Sequence, residues 1–399
     1  MTGIRKAGWH HLLAWSAVAV VGAAVATAGC GEQQAPEARE ALNVALFVPT
    51  TGELSSYGEL CRAGAELAWD EIDKERAKAG EVRFWLNVRD DNSDSEAAST
   101  TARQLYEVAH FLAIVGPVSD DTVTAAAAQV RDHDVSVVTP TVETASLRTD
   151  HPNVIQLCLT SSQQGALMAK FVAETLKPTA KRALVVRPDG DTEMAALTAG
   201  FKARLGSAFS VDEVDTDPAN VLDRVRQSKP GVVVAAVGPD GLRDLWEALR
   251  PAGISAPIVA GPHAYARRAL GTTAKAMGEV YVAAHFALDE DRPAVRRFVE
   301  AFKKANKRKL PDAGAAITYD AVMLVNRALR QAMPGVRDES GKPAFPAPKA
   351  VGEALRNGEP LADAVTGPIT VSADGSVTKP LFMLKLSEKG GRFFARVDP

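Results

Sequence analysis

From position 41 onward the chain alternates short β-branched or apolar runs with longer stretches whose apolar residues recur every three to four positions. Leu42-Asn43-Val44-Ala45-Leu46-Phe47 reads as a strand, followed by a Pro/Thr/Gly/Ser loop at 49–56. A helix is expected from about Tyr57, because Leu60, Ala63, Gly64, Leu67, Ala68 and Ile72 share one face. A strand at 82–88 and a helix at 95–108 come next, with Ser95 or Ser93 able to cap the helix. The apolar run 111–115 suits a strand buried on both faces, and a helix at 119–131 and a strand at 135–138 follow it. The pattern resumes with a strand at 183–186, a helix at 192–205 and a strand at 232–236. Leu242, Leu245, Trp246 and Leu249 then form a helical stripe ahead of a strand at 257–260. Helices are expected at 292–305 and 317–333, then a Pro-rich connection at 342–348. Strand-like text at 369–371 and 381–384 brackets the turn Ser372-Ala373-Asp374-Gly375. Strand–helix alternation of this length predicts an α/β protein with parallel sheets, helical cover and right-handed crossovers. A break near Thr160 divides it into two lobes.

The first forty residues follow another rule. Arg5 and Lys6 precede a stretch from Leu12 to Gly29 without a charged residue, ending Thr27-Ala28-Gly29-Cys30. This is a secretory leader with small residues at its cleavage point. It is similar to the lipobox of bacterial lipoproteins, which implies removal of 1–29 and a lipid on Cys30. Thr27 stands where a large aliphatic residue is usual, so an ordinary secretory leader or an uncleaved anchor stays open. An Ala/Val-rich run holding Ser16 would be a weak spanning helix. The polar, Pro-containing segment 30–40 reads as a flexible tether. The protein is therefore expected outside the cytoplasm, anchored by lipid to a bacterial membrane.

Composition narrows the classes further. The 399 residues are 46% hydrophobic and 24% charged, which suits two globular domains. Losing Arg5 and Lys6 with the leader leaves 44 basic against 49 acidic residues, a formal −5. A mildly acidic chain without a basic block argues against nucleic acid as a partner. Besides Cys30 there are Cys61 and Cys158, which can form a disulfide in an oxidising compartment or remain two buried thiols.

No phosphate loop, His-Glu-x-x-His, Cys-x-x-Cys or Gly-x-Ser-x-Gly is present, so neither a metal, a cofactor nor covalent catalysis is expected. His110, His133 and His151 read as surface or strand-end residues. Ligands of open α/β sheets bind beyond the carboxyl ends of the strands. Those ends carry 50–57, 116–122 and 139–144 in the first lobe, and 187–192, 237–240 and 261–263 in the second. Each is a strand-to-helix turn with free backbone amides.

With these loops in order, the chain resembles the type I periplasmic binding proteins, and among them the leucine/isoleucine/valine receptors of ABC transporters. The resemblance rests on 44–52, Tyr57-Gly58, 64–68, Asp90-Asp91, Ile114-Val115-Gly116-Pro117, Val137-Val138-Thr139-Pro140, Gln164-Gly165, Gly261-Pro262, Tyr319-Asp320-Ala321 and Gly367-Pro368-Ile369-Thr370. It implies two Rossmann-like lobes joined by a three-crossing hinge, with lobe one at 41–160 and 287–367 and lobe two at 161–286 and 368–399. It also implies a small-molecule ligand held between the lobes of a monomer, and a membrane permease that reads the closed form. The family's ligand residues fall on departures. The carboxylate-binding serine falls on Asp120, beside Ser119, and the residues after the Thr-Pro step fall on Thr141 and Glu143. The second-lobe tyrosine falls on Thr192, and the acid that takes the ligand ammonium falls on His263. Only Tyr57 keeps the expected pocket wall.

Asp120, Asp121 and Glu143 would repel a ligand carboxylate in a partly desolvated cleft. A neutral polar or cationic ligand therefore suits the site better than a plain branched-chain amino acid. Acidic residues in a first helical turn also serve as ordinary dipole partners without any ligand. The leading expectation is a non-enzymatic solute receptor of an ABC importer. An interaction protein on the same fold, of the kind that activates cell-wall synthases, is the alternative. Mutual pairing of Asp120, Glu143 and His263 would favour that alternative. A hydrolase using Asp120 and Glu143 as paired carboxylates ranks last.

Overall fold

The computed structural model describes residues 41–109, 111–265, 278–333, 345–387 and 390–399. The leader, Cys30, the tether, His110 and 342–344 of the Pro-rich connection lie outside the described residues. The first sheet contains β1 (Ala41–Phe47), β2 (Arg83–Arg89), β3 (Ala113–Val115), β4 (Ser136–Thr139) and β5 (Val154–Gln156). All are parallel, in the order β2-β1-β3-β4-β5. Around it lie α1 (Ser55–Ala79), α2 (Ser95–Ala109), α3 (Asp120–Val130) and the single turn α4 (Leu147–Asp150). The second half of the chain opens with α5 (Ser161–Phe171) and α6 (Thr192–Leu205), followed by α7 (Pro218–Ser228) and α8 (Pro239–Leu249). Its strands are β6 (Arg182–Val186), β7 (Ser210–Val214), β8 (Val232–Ala235), β9 (Ile258–Ala260) and β10 (Val280–Ala284). Then come α9 (Pro293–Ala305), α10 (Ala313–Ala332), α11 (Pro348–Asn357) and a ribbon of β11 (Thr370–Val371) and β12 (Val377–Thr378). Antiparallel β13 (Leu381–Ser387) and β14 (Gly390–Val397) close the second sheet, ordered β14-β13-β10-β9-β8-β6-β7. Among the described residues no helix is long and apolar enough to cross a membrane.

Each sheet is apolar on both faces because helices cover both. In β1, Leu42, Val44 and Leu46 pack into the core shared with α1 and α10, while Ala45 and Phe47 face α2 and α3. In β6, Ala183 and Val185 face one core, and Leu184 and Val186 the other. Strand order reverses between β1 and β3, and again between β6 and β8. Those switch points open a crevice at the carboxyl end of each sheet.

The chain passes between the sheets after β5, after β10 and after β12. Val371 and Val377 of the β11–β12 ribbon pack with Ile155 and the other residues of the first core. The last crossing thus falls at Lys379-Pro380, later than the 367/368 boundary expected from sequence. Beside it Lys379 is 1% exposed, and its Nζ donates to Thr366 Oγ1 at 2.7 Å. That hydroxyl donates to Asp320 Oδ2 at 2.6 Å, and Asp320 also accepts from the backbone N–H groups of Val365 and Thr366, each at 2.8 Å. Buried ions persist only when paired and hydrogen-bonded in this way.

Glycines set the closest helix contacts. A Cβ on Gly64 of α1 would lie 2.0 Å from Ala315 O of α10. In the second lobe a Cβ on Gly165 would lie 1.9 Å from Leu197 O, and one on Gly200 would lie 2.0 Å from Ser162 O. Each helix pair touches backbone to backbone, so even one methyl group forces the helices apart. Gly165→Ala should destabilise the fold by about 1–3 kcal/mol in urea denaturation. An unchanged midpoint would mean that α5 and α6 separate without cost.

Asp91 carries a second expectation. It is fully buried after β2, Oδ1 accepts from Ser93 N at 3.0 Å, and Oδ2 has no partner. Burial pushes its carboxyl up to about 6. The folded state therefore holds a proton that the unfolded chain releases near pH 4, and ionisation costs stability as pH rises through 6. Asp91→Asn removes that cost, so its stability relative to the parent should rise by about 3 kcal/mol between pH 4 and 7. A difference independent of pH would refute the assignment.

Candidate functional site

The loop after β1 is shaped by the loop after β2. Asp90 Oδ1 accepts from Thr50 N at 2.8 Å, Asp90 Oδ2 accepts from Thr51 Oγ1 at 2.6 Å, and Ser93 Oγ accepts from Leu54 N at 3.0 Å. Ser93 is thereby committed to the neighbouring loop. The cap expected from Ser93 or Ser95 comes instead from Asp94, whose Oδ1 accepts from Ala97 N at 2.8 Å. The paired loops deliver Tyr57 to the first turn of α1, with its ring against Gly314 at the start of α10. Asp312 caps α10 by accepting from Ala315 N at 2.9 Å, which starts that helix at Ala313, earlier than the expected 317. The Thr141 hydroxyl is in hydrogen-bonding contact with the Tyr57 hydroxyl, whose pKa burial raises well above normal.

The loop after β3 turns at Gly116, where φ is +92° and a Cβ would lie 1.9 Å from Phe47 O. Only glycine fits this approach to β1. The turn places Ser119 at the cap of α3, where its hydroxyl pairs with Thr122 Oγ1 at 2.7 Å, and Asp120 at the first helical position. Thr141, after β4, donates to Val118 O at 3.0 Å and ties the two loops together.

Glu143 is the centre of the constellation. Its Oε2 lies 2.9 Å from His263 Nε2, in the turn after β9 of the second lobe. Its Oε1 lies 3.4 Å from His285 Nε2 and 3.5 Å from Cys158 Sγ. Cys158 Sγ and His285 Nε2 are 3.3 Å apart. Burial works to raise the Glu143 carboxyl, but hydrogen bonds from both histidines outweigh it and hold the group far below the carboxylate range. The Glu143 hydrogen bond raises His263 above its ordinary value, so this pair is carboxylate and imidazolium. Burial lowers His285, which stays neutral, with Nδ1 unpartnered. Glu193 of α6 is raised by burial, and it senses His263, Glu143, Asp120 and Asp191.

Of the seven expected ligand residues, Ser119, Thr141, Glu143 and His263 lie in turns after strands, and Tyr57 and Asp120 lie in the first turns of α1 and α3. Thr192 is exposed at the start of α6, while its neighbour Glu193 carries charge toward His263. Cys61 and Cys158 are free buried thiols, so the disulfide left open by the sequence is not formed. Burial pushes Cys61 up to about 12. Sequence reasoning missed His285, Glu193, Asp312 and the placement of Cys158 beside Glu143. No local motif signals them, because they meet through separate crossings and helix caps. Glu143 pairs with two histidines, and no contact joins it to Asp120 among the described residues.

The periplasmic binding protein family profile matches residues 41–392. A Leu/Ile/Val-binding protein, BraC3 of Rhizobium johnstonii, is 26% identical over 368 residues, covering 89% of this chain and 94% of its own. A solved putative branched-chain amino acid ABC transporter protein from Rhodospirillum rubrum superposes with a TM-score of 0.76 at 21% identity, covering 89% of this chain and 100% of its own. The substrate-binding protein LivJ of Streptococcus pneumoniae, solved with isoleucine, gives 0.68 at 21% identity, covering 90% of this chain and 100% of its own. With two doubly wound sheets, crossings between them and switch-point loops facing one crevice, this chain belongs to the type I periplasmic binding protein family, a family of extracytoplasmic solute-binding proteins.

Proposed function

We propose that the protein is the solute receptor of an ABC importer, works without catalysis, and takes a neutral polar or cationic ligand rather than a plain branched-chain amino acid. The observation that carries this reading is the charge of the crevice. Glu143, Asp120, Asp191 and Glu193 all act on the surroundings of one imidazolium, His263. The cleft keeps an acidic excess after its internal pair is counted. A ligand carboxylate entering it meets repulsion at low dielectric, whereas an amine or amide finds acceptors. Tyr57 supplies an aromatic wall, as ligand pockets commonly require. Lobe closure over the ligand would bring the second-lobe turn at His263 against Glu143, the contact seen here.

A second reading has support from the same contact. The Glu143–His263 pair joins the lobes directly, as an interaction protein on this fold would need. A ligand screen separates the two. In thermal unfolding of the purified, ligand-free chain, an amine or amide at about 100 times its Kd should add about 2.7 kcal/mol and raise Tm by several degrees. Leucine and isoleucine should leave Tm unchanged. Stabilisation by leucine would overturn the ligand reading, and no shift from any small metabolite would favour the interaction protein.

The anchor belongs to the same proposal. A lipid on Cys30 keeps the receptor beside its permease, and the protein acts as a monomer. Cys30→Ser should move it from the membrane fraction to the soluble extracytoplasmic fraction without changing its unfolding midpoint. Retention in the membrane would refute lipidation at Cys30.

A further inference from the structure

We infer that Glu143, Cys158 and His285 form a binding site for a zinc-class divalent transition ion at the junction of the two lobes. The donors come from separate parts of the chain. Glu143 follows β4, Cys158 lies on the crossing after β5, and His285 lies on the crossing after β10. The inference is independent of which solute the crevice takes.

The geometry is that of a tetrahedral face. Zinc bonds of about 2.3 Å to sulfur and about 2.0–2.2 Å to nitrogen and oxygen set donor–donor edges of roughly 3.3–3.6 Å. The observed edges are 3.3 Å for sulfur to nitrogen, 3.4 Å for nitrogen to oxygen and 3.5 Å for sulfur to oxygen. All three donor atoms lie within 4.8 Å of one another. A thiolate, an imidazole and a carboxylate together select a borderline-soft ion over calcium or magnesium.

The surroundings supply what such a site needs. Cys158 is 3% exposed and His285 is 5% exposed, so bulk water does not compete freely for the donors. His263 holds the second oxygen of Glu143 at 2.9 Å, as outer partners orient carboxylate ligands. Burial and the neighbouring Glu143 carboxylate push the Cys158 thiol well above its ordinary value, so an ion bound there displaces the thiol proton, as at other metal–thiolate sites. Three protein ligands leave the fourth corner for water or a solute atom.

Cobalt substitution reads this site directly. The chain carrying Cys30→Ser, stripped with a chelator, is titrated with Co2+ and then with Zn2+. One equivalent of Co2+ should give a near-ultraviolet thiolate charge-transfer band and the strong visible bands of tetrahedral cobalt, and Zn2+ should erase both. Cys158→Ser should abolish the charge-transfer band, while Cys61→Ala retains it. His285→Asn should weaken Co2+ binding at least tenfold while circular dichroism stays unchanged. Absence of the charge-transfer band in the parent, or its survival in Cys158→Ser, overturns the site and shows the three side chains to be a hydrogen-bonded cluster only. That failure would leave the solute reading intact, because the thermal screen uses metal-free protein.

Discussion

Lys379 must be neutralised where the chain passes for the last time between the sheets, and much of the junction is arranged around that requirement. Its ammonium is buried and finds Thr366, which relays to the equally buried Asp320 of α10. Asp320 in turn holds the backbone ahead of the β11–β12 ribbon through Val365 and Thr366. Burial pulls both groups toward their neutral forms, each one's charge opposes that pull on the other, and removing either partner would therefore destabilise the junction. The network therefore fixes where the last crossing runs. On the other side of Lys379 stand Cys158 and His285, from the remaining crossings, both under its electrostatic influence. Three strands that meet nowhere else in sequence are locked into one polar junction. The loops of the crevice hang from it.

Much of the fold was legible because burial on both faces leaves a plain mark. The runs at 42–47, 111–115 and 232–236 are apolar but for Asn43, and they hold β1, β3 and β8. Some elements escaped notice where that mark is diluted, although β10, buried throughout, went unread as well. The strand β7, Ser-Val-Asp-Glu-Val, lies at a sheet edge with mixed exposure, and β14 alternates exposed and half-buried residues. β5 is three residues long, too short for periodicity to register. Helix α5 was hidden for another reason. Ser161 and Gln164 occupy buried positions, with Gln164 Nε2 donating to Leu159 O at 2.8 Å, so its inward face does not read as apolar. Its capping box, Thr160 with Gln163, was nonetheless present in the text.

The site divides in a similar way. Loops at strand ends follow from topology, so Tyr57, Ser119, Asp120, Thr141, Glu143 and His263 could be placed near one crevice from order alone. Side-chain direction could not. Thr192 and Glu193 are adjacent on α6, where one residue of rotation is about 100°, and it is Glu193 whose charge reaches His263. His285 was invisible because its partner Glu143 is over a hundred residues away, and only the fold makes them neighbours.

Glu143 and His263 are best understood together. The resemblance places a small or hydroxylated residue in the first lobe and an acid in the second. This chain has the acid in the first lobe and a base in the second, at 2.9 Å from each other. His263 pairs with one oxygen of Glu143, while His285 and Cys158 stand at the other. The exchange keeps a carboxylate in the crevice but moves it onto the lobe that also carries Asp120. There it faces Cys158 and His285 rather than open solvent. An acid in the second lobe would be free to take a ligand ammonium at closure. An acid in the first lobe, already held by the junction, is a fixed acceptor before closure begins. Glu143 is thus a carboxylate bound into the junction where the two lobes are joined, held by groups from both sides of it.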